Sequence, residues 1–175
     1  MSRARVALVR PSARWSAAFV TAVRRSRSLH GRWVRPPATP TAYRAYVRRL
    51  RRPIHEGYFI CLRDSQELVG VANISEIVRG GFRSAYLGYF AFRPYEGRGL
   101  MTEGLALVMR DAFRRLGLHR VEANIQPGNR ASIRLARRLG FRREGYSPRY
   151  LKVQGRWRDH ERWALLADAV TAPRP

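Results

Sequence analysis

Apolar residues recur along this chain in two periods, every second position in some stretches and every third or fourth in others, with proline and glycine at the joins. Val6, Ala7, Leu8 and Val9, stopped by Arg10-Pro11, read as a first strand. Ser12 is placed to cap a helix through about Arg27, in which Trp15, Phe19 and Val23 keep helical spacing. The proline-rich stretch RPPATP (35–40) breaks the pattern. Thr41 is placed to cap a second helix through about Arg51, stopped by Pro53. That helix sets Tyr43, Tyr46, Val47 and Leu50 beside Arg44, Arg48, Arg49, Arg51 and Arg52, an apolar side and a basic one. Three strands follow, over 58–62, 68–77 and 85–92, and the turn RDSQ makes the first two an antiparallel hairpin. A helix from about Gly99 to Leu116 carries Met101, Leu105, Val108, Ala112, Phe113 and Leu116 as one stripe and ends at Gly117. Val121, Ala123 and Ile125 then alternate with Glu122, Asn124 and Gln126, as in a half-buried strand. After PGN, Asn129 is placed to cap a short helix through Leu139, closed by Gly140. The turn VQGR joins strands of a last hairpin. The order predicts an α/β fold, a mixed layer without internal repeat.

Composition narrows the partners more than the fold. A chain of 175 residues, 45% of them hydrophobic, suits one domain over residues 1–175 with its own core. The 35 basic residues, all arginine except Lys152, against 12 acidic ones give a formal charge of +23. Such a charge draws the protein toward polyanions. Two readings stay open: a solvated arginine-rich surface, or a working surface for RNA, a ribosome or a phosphorylated ligand. The single Cys61 excludes an internal disulfide and reads as an inert strand thiol. His30, His55, His119 and His160 show no ligand spacing, so no metal is expected. No apolar run has transmembrane length, and no membrane partner is expected. Residues 1–55 hold no Asp or Glu and many Arg, Ser and Ala, which imitates a transit peptide. The strand-like start argues that this segment belongs to the fold.

RPYEGRGLMTEG (93–104) carries the chemistry. Two glycines between a strand and a helix expose backbone N–H groups at the positive end of the helix dipole, which makes an anion seat. A nucleoside-triphosphate loop needs a GK[ST] ending, and here Leu100 and Met101 follow the second glycine. A dinucleotide fingerprint needs a third glycine three residues on and an early place in the chain. Neither fits, and taken alone the turn reads more simply as a plain helix entry.

The stretches YLGYFAFRPYEGRGLMTEGL, GLHRVEANIQPGNRASIRLARRLGFRREGY and GRWRDH, continuous over about 68–168, resemble the GCN5-related N-acetyltransferase (GNAT) superfamily. Within it they are most similar to the RimJ/RimL branch, the RimJ-type ribosomal-protein-alanine N-acetyltransferases above all. That resemblance implies a mostly antiparallel central sheet with helices on both faces and a splayed strand pair that takes acetyl-CoA. It implies that backbone N–H groups of Glu96, Gly97, Arg98, Gly99, Leu100 and Met101 clasp the pyrophosphate, with a further contact from the Arg98 side chain. The family usually has Gln or Arg where Glu96 stands, and an acid there is expected to point into solvent. The resemblance further implies that backbone groups of Phe90, Ala91 and Phe92 pair with the pantetheine and that one N–H polarises the thioester oxygen. Asn129 matches an asparagine that touches coenzyme A, a role that can coexist with helix capping. Ser132 matches a serine that returns a proton to the leaving thiolate. Many superfamily members use a tyrosine later on that helix, where this chain has Ala136, so Ser132 or water is left as the donor.

Attack on a thioester needs a neutral amine. An α-amino group titrates at about 7.7 to 8.0, so on the order of a tenth is neutral at pH 7, whereas a lysine near 10.4 is almost wholly charged. The glutamate that some members use as a base falls at Asn124, leaving Glu122 as the nearest carboxylate on that strand face, either as a base through water or as an ordinary salt-bridged residue. The lack of a strong base favours an α-amine, and the resemblance implies the N-terminal alanine of a small-subunit ribosomal protein. Asp159 and His160 border the expected acceptor entrance, as substrate contacts or turn stabilisers. A small-molecule amine is the rival acceptor, and a non-catalytic RNA- or ribosome-binding module the rival class. A cytoplasmic monomer or homodimer is expected.

Overall fold

The computed structural model describes residues 4–171, so residues 1–3 and 172–175 lie outside it. Seven strands form one sheet in the order β1-β2-β3-β4-β5-β7-β6. They are β1 (Val6–Val9), β2 (Glu56–Leu62), β3 (Leu68–Val78), β4 (Ser84–Ala91), β5 (Arg120–Ile125), β6 (Arg142–Val153) and β7 (Arg156–Leu166). Every neighbouring pair is antiparallel except β4–β5. The helices are α1 (Ser16–Arg25), α2 (Arg27–His30), α3 (Pro40–Arg49), α4 (Leu100–Arg114), α5 (Arg130–Arg138) and α6 (Asp168–Thr171).

The period-two pattern of the strands sorts residues onto two faces. On one face Ile60, Ile74, Leu87, Val121, Ala123 and Ile125 pack under α4 and α5. Phe59, Cys61 and Val71 face α1 and α3, where the Phe19 ring stacks on Tyr46 and Phe59, tilts against Tyr43 and meets Phe92 edge-on. The expected helices on both faces of a mostly antiparallel sheet are found. Cys61 is fully buried in this second core, and burial pushes its thiol up to about 11.

Two helix starts differ from the sequence reading. Thr39, not Thr41, caps α3: its side chain accepts from Ala42 N at 3.2 Å, and Pro40 takes the first helical position, where a missing N–H costs nothing. Ser12 makes no side-chain cap; a 3₁₀ turn over Ala13–Trp15 precedes α1. The expected single helix to Arg27 is interrupted at Ser26, whose hydroxyl donates to Ala22 O at 2.7 Å and accepts from Arg93 N at 3.0 Å. That serine ties the end of α1 to the segment just past β4.

Helix α4 is fastened to the sheet at both ends. At its N-terminal turn, Glu103 accepts from Arg5 Nε at 3.0 Å and also from the backbone N–H of Arg5. At its C-terminal end, the Tyr58 hydroxyl donates to Asp111 at 2.6 Å, and Arg115 reaches Asp111 at 2.7 Å and Glu56 at 3.0 Å. Burial opposes the charge on Asp111, but the bonds from Arg115 and Tyr58 outweigh it and hold the carboxyl below its ordinary range. The glycine turn is therefore carried on a rigidly seated helix.

Candidate active site

The parallel β4–β5 ladder has three pairs, Ser84–Arg120, Ala85–Val121 and Tyr86–Glu122, and then stops. Both strands continue, to Ala91 and Ile125, without pairing with each other. The two strands therefore part, with backbone polar groups facing the interval between them. Phe92 N–H donates to Val69 O of β3 at 2.7 Å. Backbone groups alternate sides along a strand, so Phe90 also faces β3, while Tyr89 and Ala91 face the parting. Phe92 O accepts from Tyr95 N at 3.1 Å. Of the three backbone positions expected to meet a pantetheine, Ala91 is the one whose amide points into the parting; Tyr89 joins it.

The glycine turn lies where β4 ends. Gly97 and Gly99 hold φ of +75° and +78°, and a Cβ built on Gly97 would meet no atom within 4 Å. Leu100 and Met101 bury their side chains in the core, so only their backbone faces outward. The first bond of α4 runs from Glu103 N to Gly99 O at 3.1 Å, which leaves the N–H groups of Leu100, Met101 and Thr102 without a helical partner. Open space, left-handed glycines and unpaired donors make this turn able to seat an anion. Arg98 is exposed beside it, its guanidinium 5.9 Å from the Tyr95 ring centroid. Glu96 meets the expectation that it faces solvent only in part. Its side chain is 35% exposed and its Oε1 lies 3.6 Å from Arg93 Nε, while its Oε2 is buried without a hydrogen-bond partner.

Ser132 and Tyr89 meet across the parting. Ser132 Oγ donates to Tyr89 Oη at 2.9 Å, and Tyr89 Oη donates to Ser132 O at 3.1 Å. Burial pushes the Tyr89 phenol up to about 12, so it keeps its proton throughout the neutral range. Asn129 Oδ1 accepts from Ser132 N at 3.2 Å, so it caps α5. Tyr89 is the member that sequence reasoning missed. Its signal was present: a tyrosine on the inward register of a strand must find a partner for its hydroxyl.

On the opposite face, β5 presents Glu122 and Asn124. Glu122 is ion-paired with Arg120 at 2.8 Å, which gives this carboxylate a structural partner on its own strand. Asn124 Oδ1 is buried and has no hydrogen-bond partner, a cost that the fold otherwise avoids. Asp159 accepts from Tyr146 Oη at 2.5 Å and from Arg149 N at 2.8 Å, and His160 Nδ1 donates to Arg158 O at 2.9 Å. Both hold the β6–β7 hairpin in shape. Residues 31–33 reach over the end of the parting: Gln154 Nε2 donates to Gly31 O at 3.1 Å, and Trp33 lies against Gly128.

His30, at the end of α2, donates from Nε2 to Ala91 O at 2.9 Å and packs edge-on against Phe90 and Phe92. The bond fixes the peptide that follows Ala91. Burial lowers the affinity of both His30 and His160 for a proton. The unfolded chain then binds more protons than the native one just below pH 6.5, so stability is full above that value and falls as pH drops through the depressed native values. Urea midpoints measured from pH 7.5 to 5 are expected to decline below about 6.5. His30→Gln and His160→Gln together should flatten that decline; an undiminished slope would remove the two histidines as its source.

Comparison with known proteins agrees with this geometry. Residues 5–142 match the family model described as the acetyltransferase (GNAT) domain. The Escherichia coli [ribosomal protein uS5]-alanine N-acetyltransferase is 46% identical over 111 residues, 63% of this chain and 57% of that enzyme. The matched region thus spans little more than half of that relative's length. The probable N-acetyltransferase YjcK of Bacillus subtilis is 36% identical over 69% of this chain and 67% of its own. A Mycobacterium smegmatis RimJ, solved in complex with CoA-disulfide, superposes with a TM-score of 0.87 at 29% identity, covering 95% of this chain and 84% of that one. With the parted β4–β5 pair and the glycine turn in place, the family match over residues 5–142 means that this chain belongs to the GNAT acetyltransferase family.

Proposed function

We propose that this protein transfers the acetyl group of acetyl-CoA to the N-terminal α-amine of a protein, with a ribosomal protein as the acceptor class and its first residue alanine. The observation that carries the reading is the β4–β5 ladder that stops after three pairs, leading from the glycine turn to the Ser132–Tyr89 hydrogen bond. The names of the relatives, among them a ribosomal-protein-alanine N-acetyltransferase, support the acceptor class. Such work belongs in the cytoplasm.

Acetyl-CoA supplies an acetyl group already activated as a thioester. In this chain the backbone N–H groups from Gly97 to Met101 take its pyrophosphate, with Arg98 beside them. The exposed amides of Tyr89 and Ala91 align the pantetheine, and Ala91 N–H is the donor placed to polarise the thioester oxygen, because His30 has already taken the carbonyl of the same residue. Asn129 adds its amide nitrogen at the head of α5. Ser132 gives a proton to the departing sulfur and recovers one from water, while Tyr89 holds the serine hydroxyl in place. On the acceptor side Asn124 Oδ1, buried and unpartnered, is the atom available to accept from the incoming amine and orient it, and the amine loses its proton to water near Glu122.

The nearby carboxylates argue against a polyamine acceptor. Glu122 and Glu144 are both held by Arg120, Glu161 by Arg143 and Asp159 by Tyr146, so none of these four is left to grip a cation.

Thiol release from acetyl-CoA with short peptides of varied first residue tests the proposal. Peptides beginning with alanine should be preferred, and log kcat/KM should climb with pH to a plateau near about 8, the range of an α-amine, rather than near about 10.4, the range of a lysine. Release with spermidine alone would move the acceptor to small amines. Binding of acetyl-CoA without release to any amine would leave a non-catalytic module.

A further inference from the structure

Seven of the 12 acidic residues are held by arginines: Glu103 by Arg5, Glu56 and Asp111 by Arg115, Glu122 and Glu144 by Arg120, Glu96 by Arg93 and Glu161 by Arg143. Helix α5 lies outside this pairing. It carries Arg130, Arg134, Arg137 and Arg138, all exposed, and has no acidic residue. Among the described residues none of these four forms an ion pair.

Three of them do not merely face solvent. Arg130, Arg134 and Arg137, with Pro127, Ile133 and Glu161, line a cleft of about 440 Å³ between α5 and β7. The i, i+4, i+7 spacing puts the three guanidinium groups on one side of the helix. Arg137 is held in place over the Trp163 ring, 5.5 Å from its centroid. The carboxylate in the cleft, Glu161, accepts from Trp163 Nε1 at 3.0 Å and is met by Arg143 at 3.5 Å, so it does not neutralise the stripe. Charge of one sign in a concave, low-dielectric wall focuses the local field more than the same charge on a convex helix. The arginines of α3 supply that contrast: Arg44 and Arg48 are exposed and, among the described residues, without ion pairs, on a helix that does not line this cleft.

We propose that the cleft between α5 and β7 docks the phosphodiester backbone of RNA. Planar guanidinium groups match phosphate oxygens two at a time, and a row of three spaced along a helix suits a chain of phosphates better than one isolated anion. The lining offers no aromatic ring for a base to stack on, so the cleft reads the backbone and not the sequence. The choice of RNA among polyanions rests on the proposed ribosomal-protein acceptor, which is met in the company of RNA.

A fluorescently labelled short single-stranded RNA, titrated with the full chain at several salt concentrations, tests this beside thiol release from acetyl-CoA. Arg130→Glu with Arg134→Glu should weaken RNA binding at least about tenfold at low salt and make the salt slope shallower by about 0.7 for each phosphate no longer neutralised. Arg44→Glu with Arg48→Glu, the same change of charge on α3, should do far less. The α5 pair should keep the KM for acetyl-CoA, and changing the RNA sequence should not alter the wild-type affinity. Equal effects of the α3 and α5 pairs would reduce the binding to diffuse charge and overturn the site. So would a raised KM for acetyl-CoA with RNA binding intact, which would assign the stripe to the coenzyme. Tighter, α5-dependent binding of phosphatidylserine vesicles than of RNA would also overturn it. Arg130→Ala with Arg134→Ala, which adds no acid to the helix, gives the same comparison if the charge reversal harms folding. Because thiol release is read separately, failure of the RNA site and failure of the acyl-transfer reading remain distinct results.

Discussion

Gly97→Val is expected to raise the KM for acetyl-CoA on the order of 100-fold while leaving the fold intact. Two or so charge-assisted bonds from the turn to a pyrophosphate are each worth about 1.5 to 3 kcal/mol, and about 1.4 kcal/mol corresponds to tenfold in affinity. The protein itself does not need the space: no atom lies within 4 Å of a Cβ at this position. It does need the backbone conformation, since φ is +75° and a branched side chain there costs about 1 to 2 kcal/mol. Gly97→Asn separates the two effects, because asparagine tolerates the left-handed region. Its thermal midpoint should stay closer to wild type than that of the valine variant, while its coenzyme affinity still drops. Titration calorimetry with coenzyme A decides the matter. Wild-type affinity in both variants would mean that no phosphate sits against this turn.

Ser132→Ala is expected to lower kcat about 100-fold with little change in either KM, the scale of losing a placed proton donor. Tyr89→Phe should cost a similar factor, because the phenol and the serine hydroxyl share one hydrogen bond of 2.9 Å across the parted strands. The double variant should then be about as slow as the slower single one, as for residues that act as a unit. With the phenol pushed up to about 12, neither side chain titrates near neutrality, so the α-amine should still set the pH profile of the variants. Multiplying losses would make the two residues independent. An unchanged kcat for Ser132→Ala would hand the proton to water.

The strands and the long helix were legible because their apolar positions keep one period from end to end. Val121, Ala123 and Ile125 all reach the core while Glu122 and Asn124 stay half-buried, as the alternation implied. The start of α3 was misplaced for a local reason. Thr39-Pro40 is a cap followed by a first-turn proline, and a proline read only as a breaker hides that role. The interruption of α1 at Ser26 was not legible, because it depends on Arg93, 67 residues away. The same holds for His30 on the Ala91 carbonyl, 61 residues apart. Within the candidate site, the sequence placed a glycine turn before the long helix and Asn129 at a helix cap, as the fold has them. It did not reveal that Arg120 occupies Glu122, that Arg93 pairs with Glu96, or that Tyr89 pairs with Ser132. Those are pairings between charges and hydroxyls brought together by the sheet, and linear order does not encode them.

The short β4–β5 ladder has a thermal corollary. A sheet joined through its middle by three residue pairs is weakest along that line, and a pantetheine arm lying there would serve as a substitute strand, supplying cross-links that the polypeptide omits. A ligand that binds only the native form raises stability in proportion to the logarithm of its concentration over Kd. The thermal midpoint of this protein should therefore climb with the concentration of coenzyme, the missing ladder being completed by the molecule that the enzyme consumes.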